Sequence, residues 1–450
     1  MSLILILLAV IAFIVLATTK FKLHPFLALL IAAFVAAFAY GLPADSIAKT
    51  ITTGFGGILG YIGLVIVLGT IIGVILEKSG AAITMADTVI KLLGERFPTL
   101  TMSIIGYIVS IPVFCDSGFV ILNSLKESLA KRLATSSVAM SVALATGLYA
   151  THTFVPPTPG PIAAAGNLGL ESQLGLVIAI GLFVAAVAAI AGMLWANRFQ
   201  KVEADIVDAQ ESSNQDWQAL KASYGTLPTA SQAFAPIFVP ILLICLGSIA
   251  KFPSFPVGKG VLFEVLTFLG QPLTALLIGL LLSVRLLKST DKVAEFGERI
   301  SQGITSAAPI LLITGAGGAF GAVLKATPLG DYLGTTLSAL GVGIFMPFIV
   351  AAALKSAQGS STVALVTTSA LVAPLLGQLG LDSEMGRALT VMAIGAGAMT
   401  VSHANDSFFW VVSQFSRMSV GLAYRAQTMA TLVQGVTAMA VVYVLSLILL

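Results

Sequence analysis

Apolar residues run along this chain in blocks of about twenty, the length a helix needs to cross a bilayer, joined by short polar stretches. Blocks of that length fall at roughly 3–19, 23–41, 55–76, 137–165, 172–196, 233–250, 260–284, 304–325, 386–412 and 427–449. Two more apolar stretches, 98–125 and 343–376, are interrupted near their middles. The first interruption carries Pro112, Cys115, Asp116, Ser117 and Gly118; the second carries Lys355, Ser356, Gln358, Gly359, Ser360 and Ser361. Backbone freed by such a break is not tolerated against lipid and must be buried in protein or line a watery cavity. Both stretches are therefore read as re-entrant hairpins. The first block has Lys20 and Lys22 behind it and no basic residue ahead. That is the reverse of a signal peptide, and the block is read as a retained first span.

Composition agrees with the pattern. Of 450 residues, 57% are hydrophobic and 10% are charged, against ~25% charged in ordinary soluble domains. A soluble enzyme, a disordered chain and a nucleic-acid binder are excluded together, and a net charge of +3 calls for no polyanionic partner. Cys115 and Cys245 both lie in apolar segments and imply no disulfide framework. Basic residues mark cytoplasmic loops. With ten spans, two hairpins and the N-terminus outside, seventeen Lys and Arg fall on the inner side. Five (Lys49, Lys251, Lys259, Lys325 and Arg387) fall on the outer side, and Lys355 lies within the second hairpin.

The one long polar stretch, 197–232, reads as a cytoplasmic linker between a first membrane repeat, 1–196, and a second, 233–450. GTIIGVIL at 69–76 matches GGAFGAVL at 317–324; the breaks at Asp116-Ser117 and Gly359-Ser360, and the pairs Thr151-His152 and Ser402-His403, follow in the same order at nearly the same separation. Each half holds five spans, so the second must be inverted. The expected fold is an all-α polytopic membrane protein of two inverted repeats, each with a re-entrant hairpin and a broken helix. Such repeats mark secondary transporters.

Four places put polar or ionisable groups at membrane depth, where they cost several kcal/mol unpaired and are functional candidates. At the first hairpin tip Asp116 is a candidate proton carrier, since burial favours its neutral form, with Ser117 and Gly118 beside it; its other reading is an N-cap for a helix starting at Phe119. At the second tip, free amides of the following half-helix with Gln358, Gly359 and the hydroxyls of Ser360, Ser361 and Thr362 form an anion site. Lys355 there either attracts the anion or snorkels to the outer surface. The third place is Thr151-His-Thr-Phe-Val-Pro-Pro-Thr-Pro-Gly-Pro161, whose four prolines cannot form an intact helix; Thr151 and His152 are candidates for solute contact, and His152 for proton coupling, against a purely structural histidine. The fourth is Ser402-His-Ala-Asn-Asp-Ser407. Here His403 and Asp406 share a helical face as a proton relay or an internal ion pair, and Asn405 is a candidate for the solute. No metal-ligand spacing, phosphate loop or nucleophile elbow occurs, so no cofactor is expected; an intramembrane hydrolase using His and Asp lacks a motif to support it.

Lys22-Leu-His-Pro-Phe26, Gly-Ala-Gly-Gly-Ala-Phe at 315–320, His152-x3-Pro-Pro-x-Pro-Gly-Pro161 and Asn405-Asp-Ser-Phe-Phe-Trp410 resemble the gluconate:proton symporter (gluconate permease) family along nearly the whole chain. The resemblance implies a proton-coupled importer of sugar acids in the bacterial inner membrane, within an ion-transporter superfamily whose members are often homodimers with two hairpins. Two positions depart from the family's common pattern. Thr158 stands where Pro-Pro-His-Pro has its histidine, and the first tip reads Asp116-Ser-Gly where a Glu with Val and Gly is usual. The expected function is import of a small organic anion, gluconate or a related sugar acid, by proton symport; the alternative is a sodium-coupled symporter or sodium/proton exchanger of the same architecture.

Overall fold

A computed structural model describes residues 2–94, 96–205, 217–250, 258, 260–327, 343–404 and 406–450, and every regular element among them is a helix. In chain order these are α1 (Ser2–Thr19), α2 (Pro25–Ala39), α3 (Ala44–Ser79), α4 (Ala81–Leu93), α5 (Pro98–Val109), α6 (Cys115–Arg132), α7 (Ser137–Phe154), α8 (Pro159–Asn167) and α9 (Leu174–Ala196). The short α10 (Trp217–Ser223) lies in the polar stretch, and α11 (Ala230–Ala250), α12 (Val261–Leu269), α13 (Pro272–Ser283) and α14 (Lys292–Lys325) follow. The last are α15 (Phe345–Gln358), α16 (Ser361–Val372), α17 (Glu384–Met399), α18 (Ser407–Phe415) and α19 (Val420–Leu449), the last with a π turn at Tyr424–Thr428.

Five helical stretches of the described residues are long and apolar enough to cross a membrane, and two bent pairs raise this to seven. The α12–α13 pair turns by 68° at Gly270 and Gln271. The block at 23–41 forms a helix of only 15 residues, and α4, at 13 residues, is too short to register as a span in the sequence. The sequence reads 137–165 and 386–412 as single blocks; each is two helices joined by an unwound link.

Local chemistry explains the breaks. Proline cannot donate to the helix ladder, so α7 stops at Phe154 before Pro156 and Pro157, and α8 restarts with Pro159 at its first position. Gly359 closes α15 at φ 86°, a left-handed conformation that a side chain would strain, and the hydroxyl of Ser360 caps α16 by accepting from the amide of Val363. Val401 holds φ 58° just after α17, an uncommon setting for a β-branched residue.

The centre of the bundle is α7 and α17, buried over almost their whole length. Helices that are apolar all round belong in such a place. Around them α3 and α14 pack antiparallel through small residues. Gly54 abuts Ala322 and the carbonyl of Gly318, Gly63 faces Leu311, and Gly303 faces Ile71, so early residues of one helix meet late residues of the other. The amide of Gln434 on α19 donates to the carbonyls of Thr146 on α7 and Ala188 on α9, at 2.9 and 3.2 Å. The element order repeats. Helices α3 and α5 to α9 start at 44, 98, 115, 137, 159 and 174, and α14 to α19 start at 292, 345, 361, 384, 407 and 420, each 246 to 248 residues later.

Candidate functional site

Four helix ends, the starts of α6, α16 and α18 and the last turns of α7, converge on one cavity of about 260 Å³. Phe114 comes from the α5–α6 link, and Cys115 and Asp116 from the start of α6; α7 contributes Tyr149 and His152; the start of α16 contributes Ser360, Ser361, Thr362 and Val363; and the start of α18 contributes Asp406, Ser407 and Phe408. Pro309, Ile310 and Ile313 of α14 close it with an apolar wall. Its size is near the lower end for small-molecule sites, ~300–1,000 Å³.

Each polar group has a distinct setting. Asp116 sits in the first turn of α6, which begins at Cys115 with Phe114 as its N-cap residue, so Asp116 does not cap a helix starting at Phe119. Its Oδ1 is buried and has no hydrogen-bond partner, and Ser407 is the hydroxyl that faces its carboxyl. His152 lies within the last turn of α7 and not in the unwound link; its ring stacks on Tyr149 at 6.4 Å and tilts against Phe114 at 5.9 Å, and its Nδ1 has no partner. Burying an unpaired polar atom costs ~1–3 kcal/mol, and both of these atoms lie in residues of the cavity wall.

Asp406 is fully engaged. Its Oδ2 accepts from Lys355 Nζ at 2.5 Å and from the hydroxyl of Ser402, and its Oδ1 accepts from the amide of Phe408 at 3.1 Å, capping α18. Lys355, fully buried, donates its second bond to the carbonyl of Gly359 at 2.7 Å. It therefore does not snorkel to a surface. The expected pairing of His403 with Asp406 is not what the fold makes; His403 Nε2 donates to the carbonyl of Ser356 at 2.9 Å.

Several sequence candidates lie off the cavity wall. The hydroxyl of Thr151 donates to the carbonyl of Tyr107 at 2.9 Å, tying α7 to α5. Gly118 faces Leu148. Ser117 lines a second cavity of about 550 Å³, with Glu77, Lys78, Glu298 and Gln302. Phe114 borders both this vestibule and the central cavity. A third cavity, of about 650 Å³, is bounded by Asn167, Gly317, Gly321 and Arg387. Asn405 and the side chain of Gln358 lie outside the described residues. The sequence reading missed Tyr149, Phe408 and the α14 wall. Pro309 in mid-helix was the one local signal for that wall. No cluster of three or more potential metal ligands occurs among the described residues.

An apolar helical bundle whose broken helices surround a small, partly polar cavity is a membrane transporter. The chain belongs to the GntP permease family: the family described as GntP family permease matches residues 1–448. It is 33% identical to the gluconate permease of Pseudomonas aeruginosa, covering 96% of this chain and 94% of that one. It is also 33% identical to the D-serine transporter DsdX of Escherichia coli K12, covering 97% of each. The fold is similar to that of the YdaH transporter of Alcanivorax borkumensis, with a TM-score of 0.68 at 15% identity over 94% of this chain and 98% of that one. These likenesses make the chain a multi-pass membrane permease, and permeases are not enzymes.

Proposed function

We propose that the protein imports a small organic anion, gluconate or a related sugar acid, together with a proton across the bacterial inner membrane. The observation that carries this reading is the unpartnered Oδ1 of Asp116 on the same small cavity as the amide end of α16. A helix N-terminus with three hydroxyl side chains suits a carboxylate. A second carboxylate beside it, at membrane depth and with no cation paired to it, repels that solute unless it carries a proton. Solute and proton then load together. Coupling also answers an energetic need. A monoanion entering against an inside-negative potential is opposed by ~2.3 kcal/mol per 100 mV, and one co-transported proton cancels that charge.

The two broken segments and the repeated element order, with α3 and α14 antiparallel, support two inverted repeats and re-entrant hairpins at 98–125 and 343–376; a homodimeric assembly is what the family resemblance implies. The family's gluconate permease favours a sugar acid; the D-serine transporter at equal identity makes a small hydroxylated amino acid the competitor to include. Uptake of labelled gluconate into proteoliposomes, with and without an inward proton gradient and with D-serine as challenger, tests the reading. Gradient-dependent accumulation of gluconate is expected. Uptake indifferent to the proton gradient but dependent on sodium would overturn proton coupling.

A further inference from the structure

The Lys355 ammonium makes two hydrogen bonds to two different interruptions of the second half. One runs to the carbonyl of Gly359, in the left-handed turn that leads into the Ser360 cap of α16; the other crosses to Asp406, which caps α18 and holds the hydroxyl of Ser402. One ammonium thus ties the end of α15, the start of α16, the unwound link before α18 and the start of α18. Five of the central cavity's lining residues, Ser360, Ser361, Thr362, Ser407 and Phe408, stand at the helix ends it joins. A buried lysine with two acceptors and a buried aspartate with three donors leave no orphaned atom, in contrast to Asp116 and His152.

We propose that Lys355 and Asp406 are a fixed clasp that positions the anion-facing amides of α16, and that neither is the charge that moves during transport. They are positioning residues. The other titratable groups around the pair are Asp116, Cys115, Tyr149 and His152. Asp116, His152 and Tyr149 each place an unpartnered atom on the cavity wall, and because a tyrosine hydroxyl ordinarily gives up its proton only at about pH 10, the moving proton falls to Asp116 and His152. The coupling part of this inference rests on the proton-symport reading above; the clasp itself does not.

Leaving one buried charge without its partner is far more damaging than removing both, so a double-mutant cycle isolates the pair. Full-length wild type, Lys355→Met, Asp406→Asn, the double variant and Lys355→Arg are purified and melted in detergent, then assayed in proteoliposomes for gluconate counterflow, which needs no net proton movement. Each single variant is expected to melt several degrees below wild type, and the double variant no lower than the worse single. The single variants should raise the counterflow KM about tenfold or more with Vmax less affected, Lys355→Arg should stay near wild type, and Asp406→Asn should keep the proton-to-gluconate ratio. A role limited to folding lowers Vmax through lost protein and leaves KM alone, which overturns the positioning claim. Melting losses that simply add overturn the clasp. Wild-type counterflow in Asp406→Asn with proton-driven uptake abolished makes Asp406 the moving charge and overturns the inference. If wild type carries no gluconate, the sugar-acid reading fails, and the melting cycle still decides the clasp.

Discussion

Gly73→Ala offers a sharp test of how the first helix break is held. Gly73 belongs to the repeated GTIIG stretch of α3 and faces the link between α5 and α6. A Cβ at this position would stand 2.5 Å from the carbonyl oxygen of Pro112. Ordinary van der Waals contact begins near 3.4 Å, so the link must retreat by about 0.9 Å or α3 must move. Pro112 is two residues from Phe114 and four from Asp116, so the retreat is passed to the cavity wall. Forcing a methyl into a packed site costs ~1–3 kcal/mol, set against a helix-propensity gain of ~1 kcal/mol for replacing glycine. Gly63→Ala on the same helix is the control, because its Cβ would meet nothing nearer than Leu311 at 3.7 Å; there only the propensity gain remains. Gly73→Ala is thus expected to be less stable than Gly63→Ala by about 1–3 kcal/mol, the overpacking term alone. Gluconate uptake should fall tenfold or more, since a displacement approaching 1 Å at a binding constellation is poorly tolerated. Thermal melting and initial uptake rates in proteoliposomes measure both. Equal melting and equal uptake of the two variants would refute the claim that Gly73 sets the position of this link.

Three further outcomes follow from the site and its surroundings. Asp116→Asn keeps the shape of a neutral acid but cannot exchange a proton; gluconate counterflow should persist while accumulation driven by a pH gradient is lost, about tenfold per pH unit, and retained accumulation would remove Asp116 from coupling. Phe114 separates the central cavity from the Glu77 and Lys78 vestibule, so Phe114→Ala in a Cys245→Ser background should speed alkylation of Cys115 by a bulky thiol reagent from that side, with Phe114→Leu intermediate; an unchanged rate would show that the partition lies elsewhere. Outside the membrane, Asp205 accepts from the amide and hydroxyl of Ser419 at 2.6 and 2.5 Å, which holds its carboxyl below the ordinary range. A lowered folded-state value means the contact stabilises fully above the unfolded carboxylate value of about 3.9 and fades as pH falls through the folded one. Asp205→Ala should therefore melt slightly below wild type at pH 7 and converge with it in strong acid, and a gap that persists there would mean the loss is not electrostatic.

Much of the architecture is written locally. Blocks of about twenty apolar residues become helices because lipid leaves the backbone no partner but itself, and Pro156, Pro157 and Gly359 break helices by their own covalent geometry. The four interruptions whose helix ends meet at the cavity were visible as clusters of Asp, Ser, His and Pro in apolar surroundings. The element starts of the two halves run in the same order, 246 to 248 residues apart. What the sequence could not contain was the rotation of each helix after its break. Ser117 and Asp116 are neighbours, yet one turns to the vestibule and the other to the central cavity, a choice made by how α6 packs on α7 and α18. Thr151 and His152 divide in the same way, the first bonded to Tyr107 and the second facing the cavity. The sequence placed His403 beside Asp406, but a carboxylate takes the donor that packing delivers, and packing delivers Lys355 from fifty-one residues away. The wall of Pro309, Ile310 and Ile313 carries no polar signal at all. The sequence by itself determined that this protein lives in lipid, where its helices break and which residues are too polar to be idle. Only the tertiary structure decided which broken ends meet and which charge is paired, because those follow from the phase and contact of helices distant in the chain.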